Sequence, residues 1–456
     1  MQHIQGISRH QLQMSSLEDK ITADNPVRFI DAFVNHIDPV KIGFQPKILK
    51  TEGRPNFRLE VFLKLYLYGY LNGVRSSRRL EKECFRNIEV QWLLEAIYPN
   101  YHSIADFRKD NPKALKQLFK LFVSFLKDAE LIAGDTIAID GTKSRAHNSK
   151  KANYNQKKID KHKAYIDAKS QEYLDQLEQN DIQENPVAIK NIQQKIERLK
   201  QNKIKYELLE EELKNSGEPQ ISTTDADARA LLVQGQVVEV SYNIQAAVDS
   251  KHNLVVATHT INRNDKNALA AIALEVKENL ALETFTVLVD KGYHNGRELH
   301  TCKQNNITTI VAVPEQGKSN ENGTQPEYLV SKFIYNKENN SYTCPEGKTL
   351  TTTGSWHKKT GRTEESGYNF QKYRTPACKT CLVKDLCTSR NGGREIDRSQ
   401  YADAVEENHQ RYKDNPQLYR KRQEINEHIF GTIKRKWGYN YTDLVGLEKV
   451  NGEHSL

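Results

Sequence analysis

Two aspartates stand at matching points of the sequence. Asp140 closes the apolar run of TIAIDGTKSRAHNS, and Asp290 closes that of FTVLVDKGYHN. A glycine-bearing stretch follows each one. A carboxylate at the end of a buried strand is fixed at a sheet edge, and two from adjacent strands would leave by the same edge. A third carboxylate, from a helix packed on that edge, would complete an oxygen-rich pocket. Glu427, in NEHIFGTIKRKWG, is the late helical candidate. Hard dications such as Mg²⁺ take such oxygen sets and keep water and substrate phosphate as their other ligands. Two ions roughly 3.5–4 Å apart activate a nucleophile and stabilise the leaving oxygen in phosphodiester cleavage. Strand-end aspartates also cap turns and helices, so both readings stand at this level. After Asp140 come Lys143, Arg145, His147 and Lys150. Such a basic loop can lie along a phosphate backbone, with salt-dependent binding as the consequence.

A second set of residues is softer. Cys378, Cys381 and Cys387 form C-x2-C-x5-C, and Cys344 lies upstream in TCPEGK. Four thiolates suit tetrahedral zinc, and they suit an iron–sulfur cluster equally well. The surrounding segment is too polar to fold well without a staple, which favours a structural zinc knuckle over four unligated thiols. Cys84 and Cys302 lie in helical contexts and read as core residues.

The elements that must position these groups follow from periodicity. With 456 residues the chain is long enough for two or three domains and a large core. Residues 15–130 read as helical: FRLEVFLKLYLYGYLNG has apolar residues at helical spacing and an Asn-Gly stop, and Ser76 or Ser77 is the expected N-cap of the next helix. Arginines near helix starts suit a helix-turn-helix-like DNA-binding unit as well as they suit a packing domain with a solvated basic face. After Pro186, Ile189, Ile192, Ile196, Leu199, Tyr206 and Leu213 form a heptad seam that Lys203 and Glu210 interrupt. With a turn near Glu184 to Pro186, this predicts an antiparallel helical hairpin inserted between strands.

Then the period changes to that of strands. VVEVSYNIQAAVD (237–249) and NLVVATHTI (253–261) form a hairpin, 266–281 is helical, FTVLVD is a strand, NGRELHTCKQNN a short helix and ITTIVAV (307–313) a strand. This mixed order predicts an α/β sheet layered with helices. Residues 314–403 are polar and cysteine-bearing, and a last helix is expected over 416–437. Asp249 is expected to cap a turn and Trp437 to pack the last helix, while His294 suits a helix start as well as a contact with DNA or metal.

Net charge is +8, with charged residues at 28% of mixed sign. That balance suits a phosphate-rich partner. No apolar run reaches membrane-spanning length, and MQHIQGISRHQLQ lacks a hydrophobic signal core. A cytoplasmic, nucleoid-associated protein with no membrane partner is expected. Thiols stay reduced there, so the cysteines are read as free or metal-bound.

In that order, TIAIDGTKSRAHNS, YNIQAAVD, VLVDKGYHN and NEHIFGTIKRKWG resemble the DDE transposases of bacterial insertion sequences. They are most similar to the subgroup with an N-terminal helical domain and a cysteine-bearing insertion before the catalytic glutamate. SSRRLEKEC and SIADFRKDN carry the resemblance into the N-terminal region. It implies an RNase H-like catalytic domain over 131–456, a mixed sheet with flanking helices. Two insertions interrupt it: a basic helical hairpin over 150–220 and a Cys-rich, zinc-knuckle-like one over 314–403. An N-terminal all-α, DNA-binding domain spans 1–130. The resemblance also implies that Asp140, Asp290 and Glu427 hold two Mg²⁺ ions, for which Mn²⁺ can substitute. These ions drive hydrolysis at the element's ends and transfer of the freed 3′-hydroxyl into target DNA. The implied partners are double-stranded DNA, as terminal inverted repeats and target, and a second copy in a homodimer that synapses two ends.

Within the glutamate motif Glu427 and Lys434 match the family spacing. Arg422 and Tyr419 sit one residue early, which is about 100° of helix rotation. Glu424 competes with Glu427, and the FGTIK that follows favours Glu427. Lys143, Arg145, Arg422, Lys434 and Tyr293 are the expected DNA contacts. The chain stops at GLEKVNGEHSL, where the family usually continues, so a binding-only relative stands beside the active enzyme. A Mg²⁺-dependent nuclease on the same fold is a third reading.

Overall fold

The computed structural model describes residues 6–12, 14–46, 55–147, 150–182, 186–233, 237–314, 324–361 and 367–456. Helices come first: α1 (Pro26–His36), α2 (Leu59–Leu71), α3 (Ser77–Arg86), α4 (Ile88–Leu93), α5 (Tyr101–Asp110) and α6 (Pro112–Asp128). Strand β1 (Thr136–Arg145) and the short β2 (Asn153–Tyr154) lead into two long helices, α7 (Gln156–Ile182) and α8 (Pro186–Ser216). The strands β3 (Ile221–Ser222), β4 (Arg229–Val233), β5 (Val237–Asp249) and β6 (Val255–Ile261) follow. Next come α9 (Leu269–Asn279), β7 (Phe285–Val289), α10 (Gly296–Gln304) and β8 (Ile307–Val311). The cysteine-bearing stretch carries β9 (Ile334–Asn336), β10 (Ser341–Thr343), β11 (Thr349–Thr351), β12 (Trp356–Lys359) and β13 (Tyr368–Tyr373), then the single turn α11 (Lys384–Cys387) and β14 (Ile396–Ser399). Helices α12 (Ala402–Asp414) and α13 (Pro416–Gly431), a π-helical turn (Thr432–Lys436) and α14 (Leu447–Glu453) close the chain.

The main sheet is mixed, with strand order β4-β5-β1-β7-β8 and β6 also on β5. β4 and β6 run antiparallel to β5, whereas β1, β7 and β8 run parallel to one another. A mixed α/β fold was expected from the order of periods. The chain's contacts divide it into two units. Unit 1 holds Met1–Ile132, Gly141–Asn264 and Asn426–Leu456; unit 2 holds Ala133–Asp140 and Asp265–Ile425.

Unit 1 is built round α2, which is buried on nearly all sides: Leu63, Leu65 and Tyr66 are fully covered. A helix apolar all round belongs in a core. Its one buried cation, Lys64, is paired with Asp31 at 2.6 Å. Gly69 sets how closely α3 approaches, because a Cβ there would lie 2.5 Å from Leu80 Cδ2 and 2.6 Å from the Val74 carbonyl oxygen. Gly69→Ala is expected to destabilise the chain by about 1–3 kcal/mol, the usual cost of overpacking. A fall in the midpoint of urea unfolding checks this, and an unchanged midpoint counts against it.

The C-terminal segment is tied into the same unit. The Arg75 guanidinium lies over the rings of Tyr439 and Tyr441, and Arg108 donates to Tyr70 Oη and to Asp443. The α7–α8 hairpin buries Ile159, Ile166, Ile192, Leu209 and Leu213. The charges that interrupt its seam are paired across it: Lys203 with Asp167 at 2.7 Å and Lys163 with Glu210 at 2.9 Å. Glu184, in the expected turn, lies outside the described residues.

In unit 2, α10 and α12 pack on β8 and on each other, and α9 packs on α10. α12 is anchored by Asn408, whose side chain both accepts from and donates to the Val311 backbone. The polar stretch, for which the sequence predicts no regular elements, forms two three-stranded antiparallel sheets, β11-β10-β9 and β12-β13-β14. Phe333, Tyr342, Leu350, Tyr373 and Ile396 make its small core.

Candidate active site

Parallel pairing of β1 with β7 sets Ala138 against Leu288. Carried on by two residues, that register takes both aspartates toward the same edge of the sheet. Asp290 follows the last residue of β7 and caps a short turn, Oδ1 accepting the Gly292 amide at 2.7 Å. A Cβ on Gly292 would lie 2.9 Å from that oxygen, so glycine is what lets the carboxylate fold back.

Asp140 departs from expectation. β1 does not end there; it runs on to Arg145. The later backbone groups find distant partners: Arg145 N–H donates to the Asn440 carbonyl at 3.0 Å, Thr442 N–H to Arg145 at 2.9 Å and Ala146 N–H to Val240 at 3.1 Å. Lys143 and Arg145 thus lie on a strand, not in a loop.

Arg422, on α13, reaches Asp140 Oδ2 at 3.3 Å, with 13% of the arginine side chain and 34% of the aspartate exposed. Its Nε is buried without a hydrogen-bond partner among the described residues. The guanidinium lies 5.9 Å from the Tyr419 ring centre. Burial raises the Tyr419 pKa, Arg422 lowers it, and the charge of Asp290 is among the smaller contributions that raise it. The early placement of Tyr419 and Arg422 therefore turns both toward the aspartates. Glu427 lies on α13 with an exposed side chain, as does Glu424. The inward residues there are Ile425 and Asn426. Asn426 is buried with both amide atoms unpaired among the described residues, and no pattern in the sequence marks it. No three His, Cys, Asp or Glu side chains among the described residues are placed to hold a metal ion.

The expected DNA contacts separate. Arg145 is 63% exposed in an ion pair with Glu239 at 3.0 Å, a partner easily exchanged for phosphate. Lys434 donates to the Lys143 carbonyl at 2.6 Å, and burial holds its pKa below the usual lysine range, with Lys143 adding to the fall. Tyr293 is fully buried and so packs the interior; the loop after Asp290 folds its ring inward. His294 is half-buried, and burial lowers its pKa. Asp249 accepts from Lys251 N–H at 2.9 Å, the turn cap expected of it. Trp437 lines an apolar cavity of about 430 Å³ within unit 1, beside Phe29, Phe33, Phe122 and Tyr439. Cys84 and Cys302 are buried, and burial pushes both thiols up to about 12. Cys344, Cys378, Cys381 and Cys387 line one cavity of about 30 Å³.

Two stretches of the chain match known families. Residues 15–110 match one described as a transposase domain (DUF772), and residues 343–456 match one described as a transposase DDE domain. Both are transposase families, and together the two matches support an insertion-sequence DDE transposase. The second match contains Glu427, Lys434 and the four clustered cysteines; neither covers Asp140 or Asp290. No curated protein and no solved structure matches. No helix among the described residues is long and apolar enough to cross a membrane.

Proposed function

We propose that this transposase cleaves the ends of its insertion sequence and joins them to target DNA through two divalent metal ions held by Asp140, Asp290 and Glu427 on an RNase H-like fold. The reading is supported by the β1–β7 register, which, carried two residues past Ala138 and Leu288, takes two partly exposed carboxylates to one edge of the sheet. These are hard oxygen donors and fit Mg²⁺ or Mn²⁺ rather than a thiophilic ion. When bound, such ions lower the pKa of the attacking water or 3′-hydroxyl and stabilise the leaving oxygen. The chain's own residues supply the rest. β1 and the turn Lys291–Tyr293 fix the two carboxylates, and Arg422 holds Asp140 by a charge-assisted bond. Glu427 is the third carboxylate, on the helix that carries Arg422. Lys143 and Arg145 run along the DNA backbone, and 1–130 is the DNA-binding domain. The working unit is a homodimer that synapses two terminal inverted repeats.

The test is cleavage of a labelled duplex carrying the element's terminal repeat, with Mg²⁺ and with Ca²⁺. Cutting and joining with Mg²⁺ alone is expected. Cutting without joining would indicate a nuclease, and specific binding without cutting a binding-only relative. Arg145→Ala is expected to reduce the slope of log affinity against log salt by about 1 for any duplex sequence. An unchanged slope removes Arg145 from the interface.

A further inference from the structure

We propose that Cys344, Cys378, Cys381 and Cys387 bind a single structural zinc ion that staples the two small sheets of residues 324–399. This site is separate from the carboxylates and stands or falls without them.

The four cysteines come from three short turns. Cys344 follows β10 and opens the turn CPEGK, closed by Cys344 N–H to the Lys348 carbonyl and Gly347 N–H to the Cys344 carbonyl, both at 2.9 Å. Lys348 N–H also points at Cys344 Sγ, 3.3 Å away. That arrangement needs φ +70° at residue 347, which glycine supplies. Cys378 lies within the short helical turn Pro376–Thr380, Cys381 follows that turn, and Cys387 ends α11. Side chains as distant in sequence as Cys344 and Cys387 are thus gathered on one cavity, and none is in a disulfide.

Four thiolates around one ion make a tetrahedral zinc set. Four thiolates with one Zn²⁺ leave a net charge of −2, and the wall supplies a cation. Arg394 lines the same cavity and donates to the Cys387 carbonyl at 3.3 Å. Its Nε is buried with no acceptor among the described residues. Gly393 is also required: at φ +90°, a Cβ there would lie 2.3 Å from Cys378 Cβ.

The need for a staple follows from the core, five buried side chains supporting six strands of three to six residues. So small a core is usually reinforced by metal or disulfides. No three of these thiols are placed to hold a metal ion among the described residues, so binding requires their side chains to close in on the cavity.

The experiment uses the full chain, purified without chelator and analysed for zinc and iron. About one zinc per chain and no iron is expected. After exchange with Co²⁺, thiolate-to-cobalt charge-transfer bands and tetrahedral d–d bands are expected. Cys381→Ser should lose the metal, while Cys84→Ser should keep it. Arg394→Gln should weaken zinc retention against a chromogenic chelator by roughly 10–100-fold, as changes around a metal's ligands do. If Cys381→Ser is insoluble, the cobalt spectrum of the unaltered chain decides. Folded chain that holds no zinc, and whose four thiols react freely with a disulfide reagent in excess Zn²⁺, overturns the proposal. Iron in place of zinc overturns the choice of metal.

Discussion

Asp290→Asn is expected to abolish Mg²⁺-dependent cleavage and joining, by at least about 10²–10³-fold, the scale set by removing one preorganised electrostatic group. The substitution isolates charge from structure. Asp290 Oδ1 accepts the Gly292 amide, and the amide oxygen of asparagine accepts it equally well, so the turn Lys291–Tyr293 is kept. Gly292 needs no adjustment, because the group that folds back over it keeps its shape. What is lost is the negative charge that a hard dication requires. Asp140→Asn should lose activity on the same scale, with an added small change in stability, because it also breaks the pair with Arg422. That pair has an aspartate one-third exposed, so its contribution to stability is under about 1 kcal/mol. Cleavage is measured on the end-labelled repeat and the fold by circular dichroism and urea unfolding. Wild-type rates in a folded Asp290→Asn would falsify the two-metal reading. Loss of rate together with loss of the fold would shift the weight to Asp140→Asn.

Register explains why the aspartates could be read from sequence. Each ends a run of buried apolar residues, and parallel pairing of two such runs leaves little freedom in where their last residues fall. β5 was legible for the same reason, an unbroken strand-forming run from Val237 to Asp249. The α7–α8 hairpin was legible from its seam, and the two charges that break the heptads prove to be paired with the opposite helix. The continuation of β1 past Asp140 was not legible. Its backbone partners lie at Val240 and at Asn440–Thr442, and Gly141 reads locally as a break. The strands β9–β14 were missed because segments of three to six residues are too short for alternation to show. Tyr293 is an expected DNA contact that the fold buries completely, since an aromatic ring gains by leaving water. Arg422 was assigned to phosphate by analogy of spacing; its partner is a carboxylate 282 residues away, which no local pattern encodes.

The third carboxylate is the choice the geometry leaves most open, and a paired substitution decides it. Glu427→Gln is expected to reduce cleavage by at least about 10²-fold. Glu424→Gln should change it by no more than roughly fivefold, the worth of one exposed charge at up to about 1 kcal/mol. The two glutamates are three residues apart on α13, hence on one side of the helix, and both side chains are exposed. Neither burial nor local charge separates them; the sequence FGTIK after Glu427 and its place within the matched DDE segment do. Because both changes remove one charge from the same helix side, any general effect on DNA affinity or helix stability is common to the pair. The difference between them is chemistry at the metal. Equal, small losses would move the third ligand elsewhere on the chain, and a large loss confined to Glu424→Gln would exchange the roles of the two. Repeat binding, measured with Ca²⁺ in place of Mg²⁺, should be the same for both variants, since an ion that supports binding without cutting reports the interface and not the reaction.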